Sequence, residues 1–183
     1  MSLSARPGRP APALPVGVTD TMRLTVYSDY AFRVLVYLGT RPGERATIRG
    51  IADCYGISRN HLTKVVHQLG SQGYIETVRG KGGGLRLTRD PEGIGVGEVL
   101  RDTEEGFGLV ECMRPSGRGM CRIEGGCRLR GVLGEATRAF LAVLDRYTLA
   151  DLLENRDELA QLLAGPVPAP DESSEPSEPS ASA

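Results

Sequence analysis

Cys112, Cys121 and Cys127 are the residues of this 183-residue sequence whose type and spacing point most directly to chemistry. Eight and then five residues separate them, in a segment that also holds Gly117, Gly119, Gly125 and Gly126. Thiolates are soft ligands suited to iron–sulfur clusters, and an irregular glycine-rich loop can turn several sulfurs and backbone N–H groups toward one centre. The spacing is not the paired CxxC of a zinc ribbon. A structural zinc also demands a fourth Cys or His, which residues 106–127 do not contain. On residue types alone a cluster is favoured, with zinc and free thiols left open.

A second set of residues has the chemistry to read nucleic acid, and short helices must present it. Val26, Tyr30, Val34, Leu35 and Leu38 recur at helical spacing, with Ser28 and Asp29 near the start where caps and carboxylates are favoured. A second helix is expected from Thr47 to Tyr55, stopped by Gly56. A third is expected over Arg59 to Leu69, capped by Ser58, with Leu62, Val65, Val66 and Leu69 on its buried face. Helix, glycine turn, helix is the helix-turn-helix pattern, whose second helix enters the major groove. Its outward face offers Arg59, Asn60, Thr63, Lys64, His67 and Gln68, and both histidines, His61 and His67, lie on this helix. Two β-prone runs then flank Gly80-Lys81-Gly82-Gly83-Gly84, which predicts a hairpin wing carrying Arg79 and Lys81. The plainer alternative is a solvated helix face beside an ordinary surface loop.

Charge distribution favours the nucleic-acid reading although the net charge is only −1. Residues 41–90 carry nine Lys or Arg against four acids, whereas from Asp151 onward eight acids face one Arg. A basic segment is thus masked by an acidic tail. The apolar run Ala11 to Val18 is interrupted by Pro12 and Pro15, so neither a signal peptide nor a membrane span is expected. That predicts a cytoplasmic protein with no membrane partner, in a compartment that keeps thiols reduced. An enzyme is not expected: there is no phosphate-binding loop, no catalytic Cys–His pair and no Ser, His and Asp constellation.

Beyond the wing, a short helix around Glu98 to Asp102 leads into the cysteine loop. A long helix follows over Leu129 to Leu144, with Leu129, Val132, Leu133, Ala136, Phe140, Val143 and Leu144 on one stripe that needs a partner, and another amphipathic helix over 148–163. The expected organisation is a disordered extension (1–21), a winged helix-turn-helix domain (22–100), a cluster-binding loop (101–127), dimerisation helices (128–163) and a disordered acidic tail (164–183). The fold class is mainly α with a small β-hairpin, a winged helix-turn-helix plus a long C-terminal dimerisation helix.

Three runs carry a family resemblance: MRLTVYSDYAFRVLVYL from Met22, ISRNHLTKVVHQLGSQGYIETVRGKGGGLRLT from Ile57, and YTLADLL from Tyr147. Over residues 22 to about 155 the chain resembles the winged-helix iron–sulfur regulators, the family of the repressors NsrR and IscR. The resemblance implies a transcriptional repressor acting as a homodimer on a near-palindromic double-stranded DNA operator. Its helix contacts fall on Ser58, Asn60, Thr63 and Lys64, and its minor-groove arginine on Arg79. Where IscR has a base-reading glutamate this chain has Thr63. LVECM followed by CRIEGGCRLRGVL looks most like the NsrR type, and Arg130 stands where IscR carries a histidine ligand. The resemblance therefore implies a cluster, 4Fe-4S in preference to 2Fe-2S, on Cys112, Cys121 and Cys127, with nitric oxide as the signal. A regulator of iron–sulfur or redox status, as in IscR, and a zinc-stapled DNA-binding module are the alternatives. Asp29, from the other subunit, matches the family's non-thiolate ligand; its alternative role is a carboxylate favourable at a helix start. Cys54 is the rival ligand, although a small buried thiol is the commoner fate within a helix.

Overall fold

Thr25 opens the first helix: its Oγ1 accepts the amide of Ser28, and α1 runs Val26–Gly39. In this computed structural model, which describes residues 23–80 and 82–165, the cap is therefore one turn earlier than Ser28 and Asp29 suggest. Ser28 is instead buried, because its hydroxyl serves a tertiary contact described below. The expected disorder of residues 1–21, most of the expected acidic tail and Lys81 lie outside the described residues.

Helix α2 (Ile48–Tyr55) is capped by Thr47, whose side chain accepts from the Gly50 amide, and ends at Gly56 in the left-handed conformation. Helix α3 (Arg59–Ser71) buries Leu62, Val65, Val66 and Leu69, the stripe its periodicity predicts. Ser58 precedes it as expected, but its hydroxyl makes no capping hydrogen bond and stays exposed. Strands β1 (Ile75–Val78) and β2 (Gly84–Leu87) pair antiparallel in the register Ile75–Leu87, Glu76–Arg86, Thr77–Leu85 and Val78–Gly84. Ala46 adds one bridge to Leu85, so the chain between α1 and α2 lies along the hairpin's outer edge. This is a winged helix-turn-helix, mainly helical with one two-stranded sheet.

Helix α4 (Val96–Thr103) is longer than the span Glu98 to Asp102 read from sequence, because Val96, Val99, Leu100 and Thr103 form one buried face. Helix α5 (Arg128–Leu144) follows the cysteine segment and buries none of its residues. The single helix expected over 148–163 is two helices, α6 (Leu149–Leu152) and α7 (Arg156–Ala164). The reason is packing: Leu149 and Leu153 both enter the core, and Leu153 lies where a Cβ on Gly39 of α1 would stand 2.4 Å from its Cδ1. The chain must turn at Leu153 before α7 can lay Leu159 against the same core.

That core joins α1, α2, α3, the hairpin, α4 and α6, with Leu35, Ile51, Leu62, Leu69 and Tyr74 fully enclosed. Each buried Leu or Ile contributes about 1.5–3 kcal/mol relative to exposure. The recognition helix and wing are therefore held by a core of their own. No helix of the described residues is long and apolar enough to cross a membrane.

Candidate cluster loop and nucleic-acid interface

The face of α3 expected to meet DNA is open. Ser58, Arg59, Asn60, His61, Thr63, Lys64 and His67 are all exposed. Their engagements differ. Arg59 reaches the Asp53 carboxylate of α2 at 3.3 Å, a carboxylate shared with Arg49. Thr63 donates its hydroxyl to the Arg59 carbonyl at 2.8 Å, and the His61 ring leans on Tyr30 with centroids 6.5 Å apart. Lys64 forms no ion pair among the described residues. Gln68, which sequence places on the same face, is turned away from bases: its Nε2 donates to the Asp102 carbonyl of α4 at 3.0 Å.

At the wing, exposed Arg79 precedes the tip. A Cβ on Gly83 would stand 2.3 Å from the Val78 carbonyl oxygen, so only glycine closes this turn. Arg45 donates to the Gly82 carbonyl at 2.7 Å and braces the tip from the α1–α2 connection. This brace is not a signal that sequence supplies, since Arg45 lies in an irregular stretch 37 residues away.

The three cysteines occupy three different local settings. Cys112 sits in a 3-10 turn, Glu111–Met113; Cys121 lies in a bend after Gly119; Cys127 is the residue at which α5 begins. All three are free and half-buried. Among the described residues no group of three or more His, Cys, Asp or Glu side chains is drawn together closely enough to hold a metal ion. The segment is nevertheless built to be tight. Gly117 is its one buried residue, and a Cβ there would stand 2.1 Å from the Glu111 carbonyl oxygen. Glu124 ties the second turn to α5 by accepting from the Gly119 amide at 2.7 Å and from Arg130 at 2.5 Å.

The surroundings of Cys127 suit an anionic group. Cys127 borders an open cleft of about 420 Å³ whose other walls include Met113, Arg130, Gly131, Gly134 and Arg138. Cationic side chains, glycines without bulk and the positive end of a 17-residue helix all favour an anionic thiolate-bound group there. Cys54 does not share this setting. Its Sγ lies 3.1 Å from the Leu163 carbonyl of α7, to which it donates, and burial pushes its thiol above the usual range, only partly offset by Arg41. A metal ligand must be a thiolate, so Cys54 reads as a packing residue. Asp29 is held by its own helix: Arg33 grips it through Nε at 3.1 Å and Nη2 at 2.9 Å.

Two residues that sequence reasoning missed connect the two sites. The Asp102 carbonyl accepts from both Gln68 and Gln72 of α3, at 3.0 and 2.7 Å, and its carboxylate takes the hydroxyl of buried Tyr74 at 2.7 Å. Glu104, two residues on, accepts through Oε1 from the Thr25 amide (2.8 Å), the Thr25 hydroxyl (3.0 Å) and the Ser28 hydroxyl (2.5 Å). The chain entering the cysteine segment is thus fastened to the recognition helix and to the start of α1.

Known proteins agree with this architecture. The chain is 52% identical over 143 residues to the HTH-type transcriptional regulator NsrR of Bacillus subtilis (strain 168), covering 78% of this chain and 97% of that protein. It is equally similar, 52% over 143 residues with the same coverage, to NsrR of Geobacillus kaustophilus (strain HTA426). Among solved structures, T. potens IscR matches with a TM-score of 0.61 at 24% identity, over 76% of this chain and 91% of that one, which shows the shared fold. The oxidized form of Staphylococcus aureus CymR matches with a TM-score of 0.58 at 25% identity, over 73% and 97%. Both NsrR relatives are named transcriptional regulators, not enzymes. Residues 24–155 match the family described as Rrf2, iron-dependent transcriptional regulator, so this chain is a DNA-binding, winged-helix transcriptional regulator of the Rrf2 family.

Proposed function

We propose that this regulator is a cytoplasmic, NsrR-like repressor whose operator affinity is set by an iron–sulfur cluster on Cys112, Cys121 and Cys127, and that nitric oxide is its signal. The observation that carries the reading is the pair of fastenings at Asp102 and Glu104. They fasten the chain that leads into the thiol-bearing segment to α3 and to the start of α1. The likeness to NsrR supports the choice of signal, and a 4Fe-4S cluster suits three thiolates plus one weaker ligand.

When bound, the cluster supplies iron whose weakly held position is open to a small diatomic ligand. Everything else is done by the chain. The three thiolates fix where the loop lies, and Gly117 lets its turns stack on Glu111. Asp29, offered across a homodimer, is the proposed fourth ligand, a role that requires it to leave Arg33. The exposed apolar stripe of α5, including Leu129 and Val132, is the proposed dimer seam. Two α3 helices would then meet successive major grooves of a near-palindromic operator. Asn60, Thr63 and Lys64 would contact bases and phosphates beside Ser58, Arg59, His61 and His67, and Arg79 and Lys81 would flank the minor groove. When the loop shifts, Gln68 and Gln72 carry its movement to α3, and the spacing of the two half-sites changes.

The test is a nitric oxide titration of anaerobically purified protein, with operator binding and the visible spectrum followed together. Wild type is expected to be coloured, to contain iron and sulfide, and to lose at least about 100-fold in affinity, some 2.7 kcal/mol, as the cluster reacts. A Cys112, Cys121, Cys127 triple alanine variant should be colourless, bind weakly and ignore nitric oxide. Tight binding by that variant, with release still triggered by the signal, would sink the reading.

A further inference from the structure

A cavity of about 220 Å³ lies at the root of the wing, between the end of α1, the chain leaving β2 and the first turn of α7. Three guanidinium groups line it, Arg41, Arg89 and Arg156, one from each of these elements, with Asp90 as the one carboxylate of the lining. Leu38 and Leu87 contribute apolar wall. Two of the arginines are fixed from outside the cavity. Arg89 donates through Nη1 to the Gly93 carbonyl at 3.2 Å and through Nη2 to Glu98 at 3.1 Å, and its guanidinium lies 4.8 Å from the centre of the Tyr74 ring. Arg41 donates through Nη1 to Thr40 Oγ1 at 3.0 Å and stacks 3.9 Å from the centre of the Tyr37 ring.

These anchors leave donors unused. The Nε of Arg89 is buried without a hydrogen-bond partner among the described residues, and so is the Nε of Arg156. Buried donors lacking an acceptor are rare in folded proteins. Three guanidinium groups against the single carboxylate of Asp90 give the cavity lining an excess of positive charge, which favours an anion. We propose that this cavity is a binding site for a small oxyanion, the phosphate or carboxylate group of a metabolite, held among Arg41, Arg89 and Arg156. Planar guanidinium forks match the paired oxygens of both groups. The volume is small beside the roughly 300–1,000 Å³ of drug-sized ligand sites, so the anion is compact rather than a nucleotide.

DNA is not the source of that oxyanion. Strand β2 leads away from the tip at Gly83, and its four residues span about 13 Å, which puts the cavity at the opposite end of the hairpin from the groove-facing turn. The site involves none of the cysteines, so its fate is separate from that of the cluster.

Isothermal titration of the full chain with inorganic phosphate, and separately with malonate, tests this without DNA and at constant ionic strength. Saturable binding of either anion at one site per chain is expected, and the tighter of the two identifies the source. Arg156→Gln should weaken that binding at least tenfold. Arg156→Lys should weaken it as well, since it keeps the charge and loses the planar guanidinium fork. The Arg156 side chain forms no ion pair among the described residues, so both variants should fold; Arg41→Gln gives the same reading if either does not. No saturable binding of either anion up to about 10 mM, or binding unchanged in the Arg156 variants, overturns the proposal.

Discussion

Helices α3 and α5 are both amphipathic, and they treat their apolar sides in opposite ways. Helix α3 buries Leu62, Val65, Val66 and Leu69 in the chain's own core, whereas α5 buries nothing and leaves Leu129 at 57% and Val132 at 60% exposure. The difference extends to their surroundings. From Glu104 to Thr148 the one buried residue is Gly117, while the helices before and after pack around a continuous apolar centre. The winged-helix half is satisfied by its own sequence. The other half has an uncovered stripe on α5 and three free, half-buried thiols in the segment before it.

Substitutions can break this contrast from either side. The largest effect is expected at Leu35, which is fully enclosed: Leu35→Ala should cost about 2–5 kcal/mol, read from urea unfolding at any protein concentration. A cost below 1 kcal/mol would mean that this half is not self-supporting. Phe140→Asp or Leu133→Asp on α5 should act differently. Each is met twice in a two-fold seam, so sedimentation should show the dimer dissociation constant raised at least about 100-fold. Circular dichroism should meanwhile show the winged helix still folded. An intact dimer would leave the α5 stripe without its proposed partner. Smaller again is Arg79→Ala, which should weaken operator binding and lower its salt slope by about one. An unchanged slope removes Arg79 from the phosphate contacts.

The same contrast explains what sequence could reveal. Stripes that pack within the chain, such as Leu62 to Leu69, announce both their helix and their buried side, because burial and period coincide. The glycine-rich tip between Val78 and Leu85 announced the wing because few other residues close so tight a turn. The cysteine triplet stands out by residue type, but its local geometry does not, since an irregular segment has no period. Also hidden were the roles of Asp102 and Glu104. Their roles come from hydrogen bonds between residues 30 to 79 positions apart, which leave no mark on local composition. The break between α6 and α7 was missed for a related reason: the apolar spacing continues through Leu153, and only the demand of the α1 core bends the chain there.

The smallest predicted effect lies where the two halves are joined. Arg101 of α4 grips Asp145, the residue that caps the C-terminal end of α5, through two hydrogen bonds of 2.6 and 2.7 Å. Gly97 makes room, since a Cβ there would stand 2.0 Å from Asp145 Oδ1. The hydrogen bonds from Arg101 hold the Asp145 carboxyl below the usual carboxylate range. A carboxyl lowered in the folded state stabilises the fold above its unfolded value, about 3.9, and that contribution fades as the pH falls through the lowered folded value. The pair is exposed and open to screening, so its contribution is small. Asp145→Asn should therefore lower the unfolding midpoint slightly at pH 7. The gap from wild type should narrow in high salt and close as the pH drops below the carboxylate range. A gap that persists unchanged at low pH would show that Asp145 joins the halves by shape alone, and that no charge holds α5 to the winged helix at this point.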